Sequence, residues 1–135
     1  MELVLDFYVM PNLQAAANNK PIVFQEFGCA SGFVDGRQQM IEHSPEIQEE
    51  FIEAFISVVD RIPEVRAAYA YQLSDLSAAD VDYYLSLGDY LNSSEEKEYW
   101  KQHIELLGTL GLCENDRGAT KPGWEKLVSG IEWVK

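Results

Sequence analysis

Lys20-Pro21-Ile22-Val23-Phe24-Gln25-Glu26-Phe27-Gly28 is an apolar run that ends in a carboxylate. Pro21 suits the first residue of a strand, because proline has no N–H to give to a ladder. Gly28 permits a sharp exit. The stretch is expected to form a strand over residues 21–26 that delivers Glu26 to its C-terminal end. A charged side chain there is either a rim carboxylate, solvated or paired with a lysine or arginine, or a group placed for chemistry.

Working outward toward the N-terminus, Leu3 to Val9 is rich in β-branched and aromatic residues and stops at Met10-Pro11, which predicts a strand over 3–9. Leu13 to Ala17 predicts a short helix, about 12–18, closed by the turn at Asn18-Asn19. On the other side, a Gly-containing loop runs from Cys29 to His43. Ser44 is then an N-cap, with Pro45 at the first helical position, where its absent N–H costs nothing. Ile47, Phe51, Phe55, Val58, Val59 and Ile62 recur at helical spacing and give the helix over 45–62 one buried face. Glu46, Glu49, Glu50 and Glu53 read as its solvated face, early in the helix where the dipole favours them.

Pro63 ends that helix, and Val65 to Leu73 predict a strand over 65–73, apolar apart from Arg66 and Gln72. Ser74 to Asn92 holds Tyr83, Tyr84, Tyr90 and four aspartates without a clear period, and reads as a long loop. Ser93 and Glu96 make a capping-box pattern that opens a helix over 94–107, with Trp100, Ile104 and Leu107 as its stripe. Pro122, Trp124, Leu127, Val128 and Ile131 mark a closing amphipathic helix over 122–133. The tryptophans 100, 124 and 133 fall on helical stripes and read as core or interface. Strands separated by helices imply an α/β protein with a parallel sheet and right-handed crossovers. Three strands are few for such a sheet, so the chain reads as part of a larger unit.

Composition narrows the partners. The 135 residues, 47% of them hydrophobic, suffice for one compact domain. Ten Lys plus Arg against 23 Asp plus Glu give a formal charge of −13, which repels phosphate backbones and anionic membrane surfaces. Neither nucleic-acid nor membrane binding is expected. No stretch approaches the roughly 20 apolar residues of a spanning helix, and Met1 to Asp6 lacks the basic start of a secretory signal. Cys29 and Cys113 lack partners at metal-ligand spacing, and His43 and His103 are isolated, so no metal site is expected.

These residues resemble a family. The stretch from Lys20 to Gly28 looks like the seventh barrel strand of the clan A retaining glycoside hydrolases, the superfamily of cellulases, mannanases and β-galactosidases. In the expected order, Ser44 to Ile62 resembles the seventh helix, and Ala68-Tyr69-Ala70-Tyr71-Gln72-Leu73-Ser74-Asp75 the eighth strand and the start of its loop. The closing Gly111-Leu112-Cys113-Glu114-Asn115-Asp116-Arg117-Gly118-Ala119-Thr120-Lys121-Pro122-Gly123-Trp124 is similar to the "Gly-Leu, acidic turn, Lys-Pro-x-Trp" tail of many of these enzymes. Leu3 to Tyr8 would then be the sixth strand. The implied fold is a partial (β/α)8 TIM barrel, about its C-terminal third to half.

The resemblance makes Glu26 the catalytic nucleophile, with Tyr8, Tyr71, Gln72 and Asp75 lining the cleft for a β-linked carbohydrate, and no cofactor. It places the acid/base, a glutamate usually preceded by asparagine, at the end of a fourth strand upstream of anything present here. A retaining mechanism needs that second carboxyl group about 5 Å from the nucleophile. Asp75 is a poor substitute and reads more simply as shaping its loop. The chain alone is therefore expected to be inactive, completed by association with the missing barrel portion or with another copy. The alternative is a non-catalytic carbohydrate-binding or assembly module derived from such a barrel. Secretion or a periplasmic location would follow from a signal on the parent enzyme, and a cytoplasmic one otherwise. A thiol nucleophile at Cys29 lacks a nearby base.

Overall fold

The structure, a computed structural model, describes residues 5–32, 43–115 and 118–131; the side chains of Tyr8 and Ile131 fall outside that description. Leu5–Val9 is not the strand that its composition predicts. It forms a wide π-type helical turn that runs into helix α1, Met10–Ala17. Leu5 and Met10, five residues apart, are both buried, which is the spacing of i to i+5 bonding. A helix pairs its own backbone groups, whereas a strand must find a neighbour for them. Asp6 anchors the turn by accepting from the Arg61 guanidinium through both carboxylate oxygens, at 2.9 and 2.8 Å. Asn18 closes α1 in the left-handed region, φ 50°, its N–H bonded to the Gln14 carbonyl.

Strand β1, Ile22–Phe27, follows, then helix α2, Pro45–Asp60, capped by the Ser44 hydroxyl accepting from the Ile47 N–H at 3.2 Å. Strand β2, Val65–Ala70, pairs parallel with β1, so among the described residues the sheet has two strands rather than three. Gln48, Ile52, Ala54, Phe55 and Val58 are the buried residues of α2. The buried stripe thus includes a glutamine that a search for apolar spacing passes over.

The segment expected to be a loop after β2 contains helix α3, Ala78–Leu87, with a 3-10 turn at Gly88–Tyr90. Ser77 caps α3 by accepting from the Asp80 N–H at 3.1 Å. Only Val81 of α3 is buried, so it has no apolar stripe for the sequence to display. Helix α4, Ser94–Leu107, opens with the reciprocal Ser93–Glu96 capping box. Its Trp100 folds back on α3, donating from Nε1 to the Tyr84 carbonyl at 2.8 Å. Helix α5, Pro122–Ile131, lies along α2. Lys126 of α5 reaches Glu53 at 3.2 Å and Glu49 at 3.7 Å on α2, so part of the acidic face is paired rather than only solvated.

The core gathers Leu5, Met10, Phe27, Ile52, Phe55, Val58, Ile62 and Leu112, with Phe24, Trp124 and Leu127 packed against it. It fills the space between one face of the sheet and helices α2 and α5. No described helix is long and apolar enough to cross a membrane.

Candidate active site at the strand ends

Glu26 faces away from the helices, and a bulge puts it there. Phe24 meets Phe55 edge-on at 5.2 Å between centroids, and Phe27 stacks on the same ring at 4.1 Å. Both therefore point to the helix layer, although strict alternation would put residues three apart on opposite faces. The pairing supplies the missing step: Phe24 sits opposite Ala68 and Phe27 opposite Ala70, so β1 carries one extra residue between them. An earlier irregularity, with Ile22 opposite Val65 and Val23 opposite Ala67, puts an extra residue on β2, and the β1 bulge brings the register back. Bulges of this kind re-aim side chains. Gln25 and Glu26 are accordingly exposed, while Phe27 is buried.

Tyr71 lies across from Gly28, two residues beyond Glu26. Its N–H donates to the Phe27 carbonyl at 2.7 Å, which continues the pairing one residue past the end of β2. Ala70 shares a face with its partner Phe27, so by alternation Tyr71 and Glu26 lie on the opposite face, where both are exposed. A Cβ placed on Gly28 would come within 3.3 Å of the Tyr71 carbonyl oxygen, so the glycine lets the two strand ends converge. Gln72 then adopts φ 69°, a left-handed conformation that non-glycine residues seldom take. The strand ends here, short of the expected residue 73. From Leu73 onward the chain pairs with the segment after α4: the Leu73 carbonyl accepts from the N–H groups of Leu112 and Cys113, and the Asp75 N–H donates to the Cys113 carbonyl.

Asp75 is engaged elsewhere. Its Oδ1 accepts from the buried Lys121 ammonium at 2.6 Å. Lys121 also donates to Ser31 Oγ at 2.8 Å, in the loop after β1. Gln48 ties the same loops from beneath, its Nε2 lying 2.8 Å from the Cys29 carbonyl, 3.2 Å from that of Leu110 and 3.1 Å from that of Gly111. Gly111 passes so close to the backbone of Ser74 and Asp75 that any side chain there would overlap it. These contacts give the "Gly-Leu … Lys-Pro" tail a local physical meaning: its glycine and lysine lock the loops at the strand ends.

Of the residues singled out from sequence, the structure brings Glu26, Tyr71 and Gln72 to neighbouring strand ends and ties Asp75 to Lys121. The side chain of Tyr8, like residue Trp133, lies outside the described residues. Burial pushes the Cys29 thiol above its ordinary pKa, which disfavours a thiolate. Among the described residues no group of three or more His, Cys, Asp or Glu side chains converges as a metal site would. Lys121, Ser31 and Gln48 were not legible as site-shaping residues, since their partners lie far along the chain.

No protein-family model and no curated protein matches the sequence. Solved structures do match. The chain has the fold of one segment of the β-glucuronidases. Against the Dictyoglomus thermophilum β-D-glucuronidase the TM-score is 0.62 at 17% identity, over 100% of this chain and 21% of that one. Against the Ruminococcus gnavus β-glucuronidase it is 0.54 at 19% identity, over 91% and 18%. The Lactobacillus rhamnosus β-glucuronidase gives 0.54 at 18% identity, over 91% and 18%. The chain thus spans about a fifth of the length of these structures. These neighbours are glycoside hydrolases of the TIM-barrel family, and the likeness, at such identities, is one of fold.

Proposed function

We propose that this chain is the C-terminal portion of a retaining glycoside hydrolase acting on a β-linked carbohydrate. Glu26 is its nucleophile, and Tyr71 and Gln72 form part of the sugar-binding wall. The observation that carries this reading is the bulge that turns Glu26 onto the exposed face, the face that Tyr71 shares, at the C-terminal end of a parallel strand, the end at which barrel enzymes build their sites. A Glu26 carboxylate oxygen bonds to the anomeric carbon as the glycosidic C–O bond breaks, its electron pair leaving with the departing oxygen. That oxygen takes its proton from a carboxylic acid on another part of the barrel, because the Asp75 carboxylate is held by Lys121. Water then attacks the anomeric carbon, gives up a proton to the same residue, and frees Glu26.

The exposed Val23, Tyr69, Tyr71 and Leu73, and a sheet that has two strands among the described residues, favour association with the remaining strands of a barrel. The fold likeness makes a β-glucuronide the first substrate to assay. The test is hydrolysis of p-nitrophenyl β-glycosides, glucuronide first, by the protein expressed from its complete open reading frame. Glu26→Gln should lower kcat by at least about 10³-fold, and a 2-deoxy-2-fluoro glycoside should label Glu26 as read by peptide mass spectrometry. Full activity in Glu26→Gln would end this reading. Sugar binding without turnover would instead support the module.

A further inference from the structure

Lys121 is an ammonium almost wholly withdrawn from water. Its three N–H donors meet three acceptors from three parts of the chain: Ser31 Oγ at 2.8 Å in the loop after β1, Asp75 Oδ1 at 2.6 Å in the loop after β2, and the Thr109 carbonyl at 3.4 Å beyond α4. Ser31 completes the set by donating its hydroxyl to the Thr109 carbonyl at 2.9 Å, while the Thr109 hydroxyl donates to the Gly32 carbonyl at 2.7 Å. The loop after β1 leads out of Glu26, and the loop after β2 leads out of Tyr71. One cation therefore clamps together the exits of the two strands whose ends carry the candidate nucleophile and the candidate sugar platform.

We propose that Lys121 is a positioning residue of this site, fixing the strand ends that carry Glu26 and Tyr71 relative to each other through the loops that follow them. The inference rests on the reading of Glu26 as nucleophile. The ion pair is charge-assisted and buried, so removing one partner strands the other. The loops then settle at a different spacing. A displacement of about 1 Å at a reacting centre lowers the rate by about 10²-fold, and that loss appears in kcat of fully folded protein, where a merely stabilising role would leave it unchanged.

The test uses the protein from its complete open reading frame and the p-nitrophenyl β-glycoside it turns over fastest, at a temperature where each variant is shown by its unfolding curve to be folded. Lys121→Met is expected to lower kcat by about 10- to 100-fold with KM within about threefold. Asp75→Asn should act in the same direction, and the double variant should be no worse than the more impaired single one. Lys126→Met, which removes a half-exposed cation on α5 that pairs with Glu49 and Glu53 away from the strand ends, should change kcat by less than about twofold. If Lys121→Met does not fold, Asp75→Asn decides. A kcat within about twofold of wild type in Lys121→Met, or in Asp75→Asn where that variant decides, overturns the proposal, provided Glu26→Gln is inactive in the same assay. An active Glu26→Gln instead removes the site itself, and the positioning role with it.

Discussion

Phe27 lies flat on Phe55, with ring centroids 4.1 Å apart and planes inclined by 13°. This contact holds the β1 bulge in place. If Phe27 left the helix layer, the extra residue would have no reason to stay between Phe24 and Phe27, and Glu26 would be free to turn inward.

Phe27→Ala should therefore destabilise the fold by about 3–5 kcal/mol, as truncation of a buried aromatic does. Urea unfolding followed by far-UV circular dichroism measures it. Phe27→Leu keeps most of the volume and should lose clearly less. Equal losses in the two variants would mean that the stacked ring is not what fills this part of the core.

Gln48 lies at the bottom of the loop cluster, fully buried. Replacing it with methionine keeps the approximate length and withdraws the donors from the carbonyls of Cys29, Leu110 and Gly111. Each buried group left without a partner costs about 1–3 kcal/mol, so Gln48→Met should lose about 2 kcal/mol or more in the same unfolding experiment. A neutral result would show that these carbonyls are satisfied in another way.

The α4 capping box is pH-dependent. The Glu96 carboxylate accepts from the Ser93 N–H at 3.0 Å and the Asn92 N–H at 3.2 Å. Hydrogen bonding, chiefly from the Ser93 backbone and then its side chain, holds the Glu96 pKa below the ordinary glutamate value. The folded state thus binds this proton less readily than the unfolded one, and protonation favours unfolding. The contribution is complete above about pH 4.3 and is lost as pH falls through the lowered folded value. Glu96→Gln cannot titrate there, and its amide oxygen still accepts. The urea midpoints of wild type and Glu96→Gln should differ at neutral pH and converge on acidification; a constant difference across that range would rule this account out.

Much of the architecture was legible locally. Ser44 before Pro45, the Ser93–Glu96 pair and the apolar runs that open at Pro21 and Val65 each act over a few residues, and so does the turn at Asn18. Their signals survive in sequence because partner and effect are neighbours. The segment from Leu5 to Val9 misleads for the same reason: its composition favours a strand, and only the burial of Leu5 and Met10, with the Asp6–Arg61 pair, favours a helical turn. Helix α3 was hidden because it buries only Val81 and so shows no stripe.

Local patterns in the sequence were enough to foresee an acidic α/β chain with helix-separated parallel strands, three of them expected, and a glutamate at the end of the strand that opens at Pro21. Tertiary structure alone decided which way that glutamate points and which loops hold it. The facing depends on one extra residue in β1 opposite β2, and the clamp on a lysine whose partners are Ser31 and Asp75. Both arise from contacts between residues far apart in the chain. Periodicity and capping rules, which span only a turn or two, carry no information about such contacts.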